Sequence, residues 1–160
     1  MATTVFVLNG PNLNLLGQRE PAIYGSQTLA GIQAMLETRA RVHELAVDFR
    51  QSNHEGVLVD WLHEALAGAS AVIINAGGYS HSSVAIRDAV SALSVPVIEV
   101  HLSNIHAREA FRHHSMIAGV ARGSIVGLGA AGYVLALDAA AQLCKGSADA
   151  AIAQVQQGKR

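Results

Sequence analysis

The chain has 160 residues, 51% of them hydrophobic and 14% charged, with a formal net charge of -1. That size and apolar content suffice for one sizeable core and exclude intrinsic disorder. The near-neutral charge offers no basic stripe for neutralising phosphates, so nucleic acid is set aside and a small molecule is the expected partner.

Met1-Ala2-Thr3-Thr4 runs straight into a strand-like segment with no mark of a secretory signal, so a cytoplasmic location without membrane association is expected. The first strand is Val5 to Asn9, followed by Asn9-Gly10-Pro11-Asn12-Leu13-Asn14 and by a loop, Arg19-Glu20-Pro21-Ala22-Ile23-Tyr24, that Pro21 stiffens. Helical periodicity covers Thr28 to Leu45, and a second strand spans Ala46 to Gln51. Asn53 reads as the N-cap of a helix over Glu55 to Ala67 that Gly68 stops. The third strand, Ala71 to Asn75, leads into Asn75-Ala76-Gly77-Gly78-Tyr79-Ser80-His81-Ser82 and a helix from Ser82 to Leu93. The fourth, Val97 to His101, ends in His101-Leu102-Ser103-Asn104 before a short helix over Ala107 to Phe111. A fifth strand, Ser124 to Gly127, precedes a last helix from about Tyr133, in which the single cysteine, Cys144, is a packing residue. The apolar run from Ile125 to Cys144 is broken by glycines and Asp138, so it reads as strand plus packed helix rather than a membrane span. The tail, residues 156–160, is polar and expected to fray.

Apolar strands alternating with helices predict one catalytic domain over residues 1–160, with its core at about 3–145. The fold class is α/β, a flavodoxin-like three-layer sandwich around a five-stranded parallel sheet of order 2-1-3-4-5. Such a sheet opens a crevice beyond the carboxyl ends of strands one and three, and the polar clusters after strands one, three and four fall at that edge.

Several patterns point elsewhere and fail on context. Gly127-Leu128-Gly129-Ala130-Ala131-Gly132 matches a dinucleotide fingerprint, but no further strand with an acidic residue follows, so a dinucleotide-dependent oxidoreductase is the weaker alternative and helix packing explains the glycines. The 8 histidines show no recognised ligand spacing, so no metal is expected. A serine hydrolase would need G-x-S-x-G, which is absent. A receiver or flavodoxin-like binding module shares the strand order, but the positions where a receiver carries acids and a lysine hold Asn12, Asn75 and glycine.

The only lysines are Lys145 and Lys159, far along the chain, so carbonyl chemistry would pass through an enolate rather than an iminium. Arg19 near Tyr24 favours a phenolate, each unit below the ordinary tyrosine pKa of ~10 requiring about 1.4 kcal/mol of stabilisation. Arg108 is a possible second cation. Tyr79 is a second phenol near the crevice, without an arginine at comparable spacing. Glu99 and His101 share a strand face, which lets the carboxylate orient the imidazole as a general acid.

Asn9-Gly10-Pro11-Asn12-Leu13-Asn14-Leu15-Leu16-Gly17, Arg19-Glu20-Pro21 with Tyr24-Gly25, Asn75-Ala76-Gly77 with His81, Ser83-Val84-Ala85-Ile86-Arg87-Asp88, and Glu99-Val100-His101-Leu102-Ser103-Asn104 with His106-Ala107-Arg108-Glu109 together resemble type II 3-dehydroquinate dehydratase, in register from about Val5 to Cys144. The resemblance implies a cofactor-free lyase of the shikimate pathway that eliminates water from 3-dehydroquinate in the anti sense, giving 3-dehydroshikimate. By the same resemblance Tyr24 is the proton acceptor, Arg19 stabilises the transition state, Asn12 holds a water, and His101, oriented by Glu99, is the proton donor. The resemblance further implies that Asn75, His81, Asp88, Leu102, Ser103 and Arg112 bind substrate. A homododecamer built as a tetramer of trimers is implied too, with Asp88 reaching a neighbour's site. Ala22 and Met116 depart from the family pattern at positions without a catalytic role.

Overall fold

The computed structural model describes residues 3–18, 20–24 and 26–157. Five parallel strands, β1 (Thr3–Asn9), β2 (Leu45–Gln51), β3 (Ala71–Asn75), β4 (Val97–His101) and β5 (Gly123–Val126), form one sheet in the order β2-β1-β3-β4-β5. Four long helices cover it: α2 (Leu29–Val42), α3 (Glu55–Gly68), α4 (Val84–Ser91) and α5 (Ala131–Gln157). The flavodoxin-like order and layering expected from the sequence are those observed.

Alternation along the strands sorts the core into two layers. Val5, Val7, Ile73, Ile98 and Val100 pack with Ile32 and Leu36 of α2 and Leu137 of α5, whereas Phe6, Leu8, Val72, Ile74 and Val97 pack with Leu58 and Leu62 of α3 and Ile86 and Val90 of α4. Each such fully buried aliphatic side chain contributes about 1.5–3 kcal/mol relative to exposure. The three inner strands are buried on both faces, which is why they read as unbroken apolar runs.

Local structure departs from the sequence expectations at four places. The segment after Glu20 is a one-turn helix, α1 (Pro21–Tyr24), rather than a loop, with proline at the position where its missing N–H costs nothing. Asn53 is not the cap of α3. His54 holds that position without a side-chain bond, because the Asn53 amide oxygen is taken by the backbone N–H of Asn12 at 3.0 Å and by Nε2 of Gln51 at 3.1 Å. The helix expected over Ala107 to Phe111 is two 3-10 turns, Ile105–Ala107 and Ala110–Arg112, separated by extended backbone at Arg108 and Glu109. Helix α2 ends at Val42 rather than Leu45, since Glu44 takes a positive φ of 58° that no continuing helix tolerates. The last residues of the tail, 158–160, lie outside the described residues.

No helix among the described residues is long and apolar enough to cross a membrane. Cys144, on α5, gives its thiol to the carbonyl of Ser70 at 3.5 Å, and burial pushes its pKa up, as suits a packing residue.

Candidate active site

Beyond the carboxyl ends of β1, β3 and β4 lies a crevice of about 120 Å³. Its walls come from the three loops that the sequence marks as polar: Pro11, Asn12, Leu13 and Leu16 after β1, Asn75, Gly77, Gly78 and His81 after β3, and His101, Leu102, Ser103, Ile105, Arg108 and Arg112 after β4. The loops after β1 and β3 meet closely. A Cβ on Gly10 would stand 2.4 Å from the backbone oxygen of Ala76, so only glycine fits there. Asn12 sits at φ 67°, a left-handed turn that asparagine tolerates better than most residues.

β4 supplies the group best suited to move a proton. Glu99 and His101 alternate onto the α3/α4 face, and Nε2 of His101 lies 2.8 Å from Oε1 of Glu99. The carboxylate is 1% exposed and the imidazole 6%. Burial pushes the Glu99 carboxyl up, but donation by His101 and by the hydroxyls of Ser115 (2.5 Å) and Ser124 (3.1 Å) outweighs it, and the net shift is downward. The result is a buried, ionised carboxylate that fixes the imidazole and leaves its Nδ1 edge to the crevice.

The His81 ring stacks on His101 with centroids 6.0 Å apart. Its Nδ1 is 2.9 Å from the carbonyl oxygen of His114. A carbonyl only accepts, so Nδ1 carries the proton, and in the neutral ring Nε2 offers a lone pair. Burial lowers the pKa of His81, the His114 carbonyl partly offsets this, and the nearby His101 and Arg112 charges lower it further. His81 is therefore a neutral acceptor suited to a hydroxyl.

Cations face these groups. Arg112 is held through Nε by Glu109 at 2.6 Å, and Arg108 approaches Ser103 Oγ at 3.4 Å. Ser103 with Arg108 beside it suits an anionic oxygen ligand such as a carboxylate, whereas Arg112, already paired with Glu109, suits a neutral ligand oxygen such as a hydroxyl.

Of the residues expected from sequence, Asn12, Asn75, His81, His101, Leu102, Ser103, Arg108 and Arg112 line the crevice together, with Glu99 behind His101. Arg19 lies outside the described residues, as does the side chain of Tyr24. Asp88 stands outside the crevice on α4, its side chain 67% exposed and 3.5 Å from Arg87. Tyr79 is not part of the lining, and its hydroxyl donates to the backbone oxygen of Asn53 at 2.8 Å. In the glycine run after β5, Gly127 donates to the carbonyl of His101 at 3.1 Å, Gly129 to that of Leu102 at 2.9 Å and Gly132 to that of Gly129 at 3.1 Å, so these three glycine amides are taken by the protein rather than turned to a phosphate. Among the described residues no group of three or more His, Cys, Asp or Glu side chains is placed to hold a metal.

Sequence reasoning missed Ser115, Ser124 and Tyr133. Ser124 is the register partner of Glu99 across β4 and β5, a relation invisible until strand register is known. The sole signal for Tyr133 was a polar-tipped ring in the most apolar stretch of the chain.

Residues 3–141 match the family model described as Dehydroquinase class II. The chain is 58% identical over 147 residues to the 3-dehydroquinate dehydratase of Sinorhizobium medicae, a match covering 92% of this chain and 99% of that protein. It is 60% identical over 145 residues to the 3-dehydroquinate dehydratase of Brucella canis, covering 91% and 92%. In three dimensions it is similar to the type II dehydroquinase of Propionibacterium acnes, with a TM-score of 0.85 at 46% identity over 89% of this chain and 98% of that one.

Proposed function

The chain belongs to the type II dehydroquinase family, a family of hydro-lyases in the shikimate pathway, and from that membership we propose how its crevice removes water from 3-dehydroquinate. Tyr24, as phenolate beside Arg19, takes a proton from the carbon next to the ketone, leaving an enolate. A water held by Asn12 donates to the enolate oxygen, an oxyanion-hole contact of the kind worth several kcal/mol. The enolate then re-forms the ketone as the carbon–oxygen bond to the departing hydroxyl breaks on the opposite face. His101, held by Glu99, gives that hydroxyl its proton. One proton enters at Tyr24 and one leaves from His101, so the products are the conjugated enone, 3-dehydroshikimate, and water. Passing the proton from Tyr24 back to His101 resets the site without a cofactor.

Arg112 and His81 suit ring hydroxyls, Asn75 suits an acceptor oxygen, and the Leu102-Ser103 segment suits the carboxylate. The observation that carries this reading is the buried Glu99–His101 pair opening onto the crevice. Its test is direct: protein incubated with 3-dehydroquinate, without added metal or nucleotide, should generate the ultraviolet absorbance of the enone, and folded protein giving no signal would overturn the reading. Four trimers are the proposed assembly, in the cytoplasm, with Asp88 contributing to a neighbour's crevice. Its exposure outside its own crevice supports that part of the reading, and light scattering after size exclusion measures the assembly.

A further inference from the structure

Asn9 closes β1 and Asn75 closes β3, as register partners in adjacent strands. Tyr133, in the first turns of α5 and 0% exposed, reaches between them. Its hydroxyl donates to Oδ1 of Asn9 at 2.7 Å and accepts from Nδ2 of Asn75 at 2.9 Å.

The direction of this chain is forced from both ends. Nδ2 of Asn9 lies 2.9 Å from the carbonyl oxygen of Arg50, which can only accept, so Oδ1 of Asn9 faces Tyr133 and takes the phenol proton. The phenol oxygen is then left as an acceptor for Asn75. At the far end the backbone N–H of Gly77 donates to Oδ1 of Asn75 at 3.1 Å, which fixes the other half of that amide. Asn75 lines the crevice. One of its two amide hydrogens is spent on Tyr133, and the second remains as a donor for a ligand.

We propose that Tyr133 is a positioning residue for substrate binding, locking the Asn75 carboxamide in the one orientation that offers an N–H to an acceptor oxygen of the substrate. The proposal rests on the reading of the crevice as the 3-dehydroquinate site. Burial keeps the phenol protonated by raising its pKa well above the ordinary value, so the chain holds its direction at any working pH. The glycine run after β5 acquires a task here. Gly127 at φ 85° and Gly129 at φ 57° take left-handed turns, and their amides bind the end of β4, which sets the start of α5 so that Tyr133 arrives beneath the two asparagines.

Tyr133→Phe keeps the ring and removes one oxygen, so the Asn75 amide loses one of its two anchors and is held by the Gly77 N–H alone. With 3-dehydroquinate as substrate, this variant should raise KM about five- to tenfold, the size of one lost hydrogen bond, and change kcat less than about twofold. Placed on Asn75→Ala, the same change should move kcat/KM by less than about twofold, because the group it orients is gone. A lowered melting temperature with KM unchanged, or an equal KM increase in both backgrounds, would reduce Tyr133 to a packing role and overturn the proposal. Should Tyr133→Phe fail to fold, hydrogen exchange of the wild-type Asn75 side-chain amide decides: one slow and one fast proton supports the locked orientation, and two fast protons overturn it. Wild-type protein without turnover overturns the dehydratase reading instead, so the two failures are distinct.

Discussion

Oε1 of Glu99 receives two donors at once, Nε2 of His101 at 2.8 Å and the hydroxyl of Ser115 at 2.5 Å, while Oε2 receives Ser124. Glu99 and His101 are two positions apart on β4, so both rise on one face of the sheet, and the carboxylate beneath leaves the imidazole a single orientation. A carboxylate this deeply buried stays ionised only because its oxygens are met by donors.

Removing the acid should therefore act on turnover more than on binding. His101→Ala is expected to lower kcat by about 10²–10⁴-fold, the usual contribution of a general acid. Glu99→Gln, which keeps an acceptor but loses the charge, should lower kcat less. Steady-state kinetics checks the order, and wild-type turnover from both variants would remove the proton-donor role from His101.

The Ser115 hydroxyl predicts a pH effect on stability. The Glu99 carboxyl is held below its ordinary value, so the stability it contributes is complete above the unfolded-state pKa of ~4.3 and is lost as pH falls through the lower folded value. Ser115→Ala deletes one donor and moves the folded value up. Acid unfolding followed by circular dichroism should then begin at higher pH in the variant than in the wild type.

The two phenols should separate cleanly. Tyr79→Phe loses a hydrogen bond to the Asn53 carbonyl outside the crevice, a cost of about 0.5–1.5 kcal/mol in stability, with turnover retained. Tyr24→Phe should nearly abolish turnover while the fold persists. The opposite pattern in an enone absorbance assay would transfer the proton-acceptor role to Tyr79.

Borohydride added during turnover should leave the enzyme active. Lys145 borders a hollow with Thr3, Leu45 and Ser70 at the amino ends of the strands, the opposite edge of the sheet from the crevice, so it cannot form an iminium with a substrate bound there. Covalent labelling and inactivation, read by mass spectrometry, would contradict the enolate route.

The five strands, their order and the loops that bear the site were legible in the sequence, because apolar runs of strand length alternating with helical periods admit few arrangements, and polar clusters in so apolar a chain stand out. Glu99 and His101 were legible as a pair because alternation along a strand is a local rule. Ser115, Ser124 and Tyr133 were not, since they meet their partners through the placement of a loop, strand register and helix docking respectively, separated by 16, 25 and, for Tyr133 with Asn75, 58 residues along the chain. Another long-range contact, the Asn12 backbone N–H on the Asn53 amide oxygen, moved Asn53 from a helix cap to a tie between loops. Sequence by itself thus determined which residues gather at the edge of the sheet. Tertiary structure decided which way each donor and acceptor faces, because a hydrogen bond's direction depends on what stands at its other end.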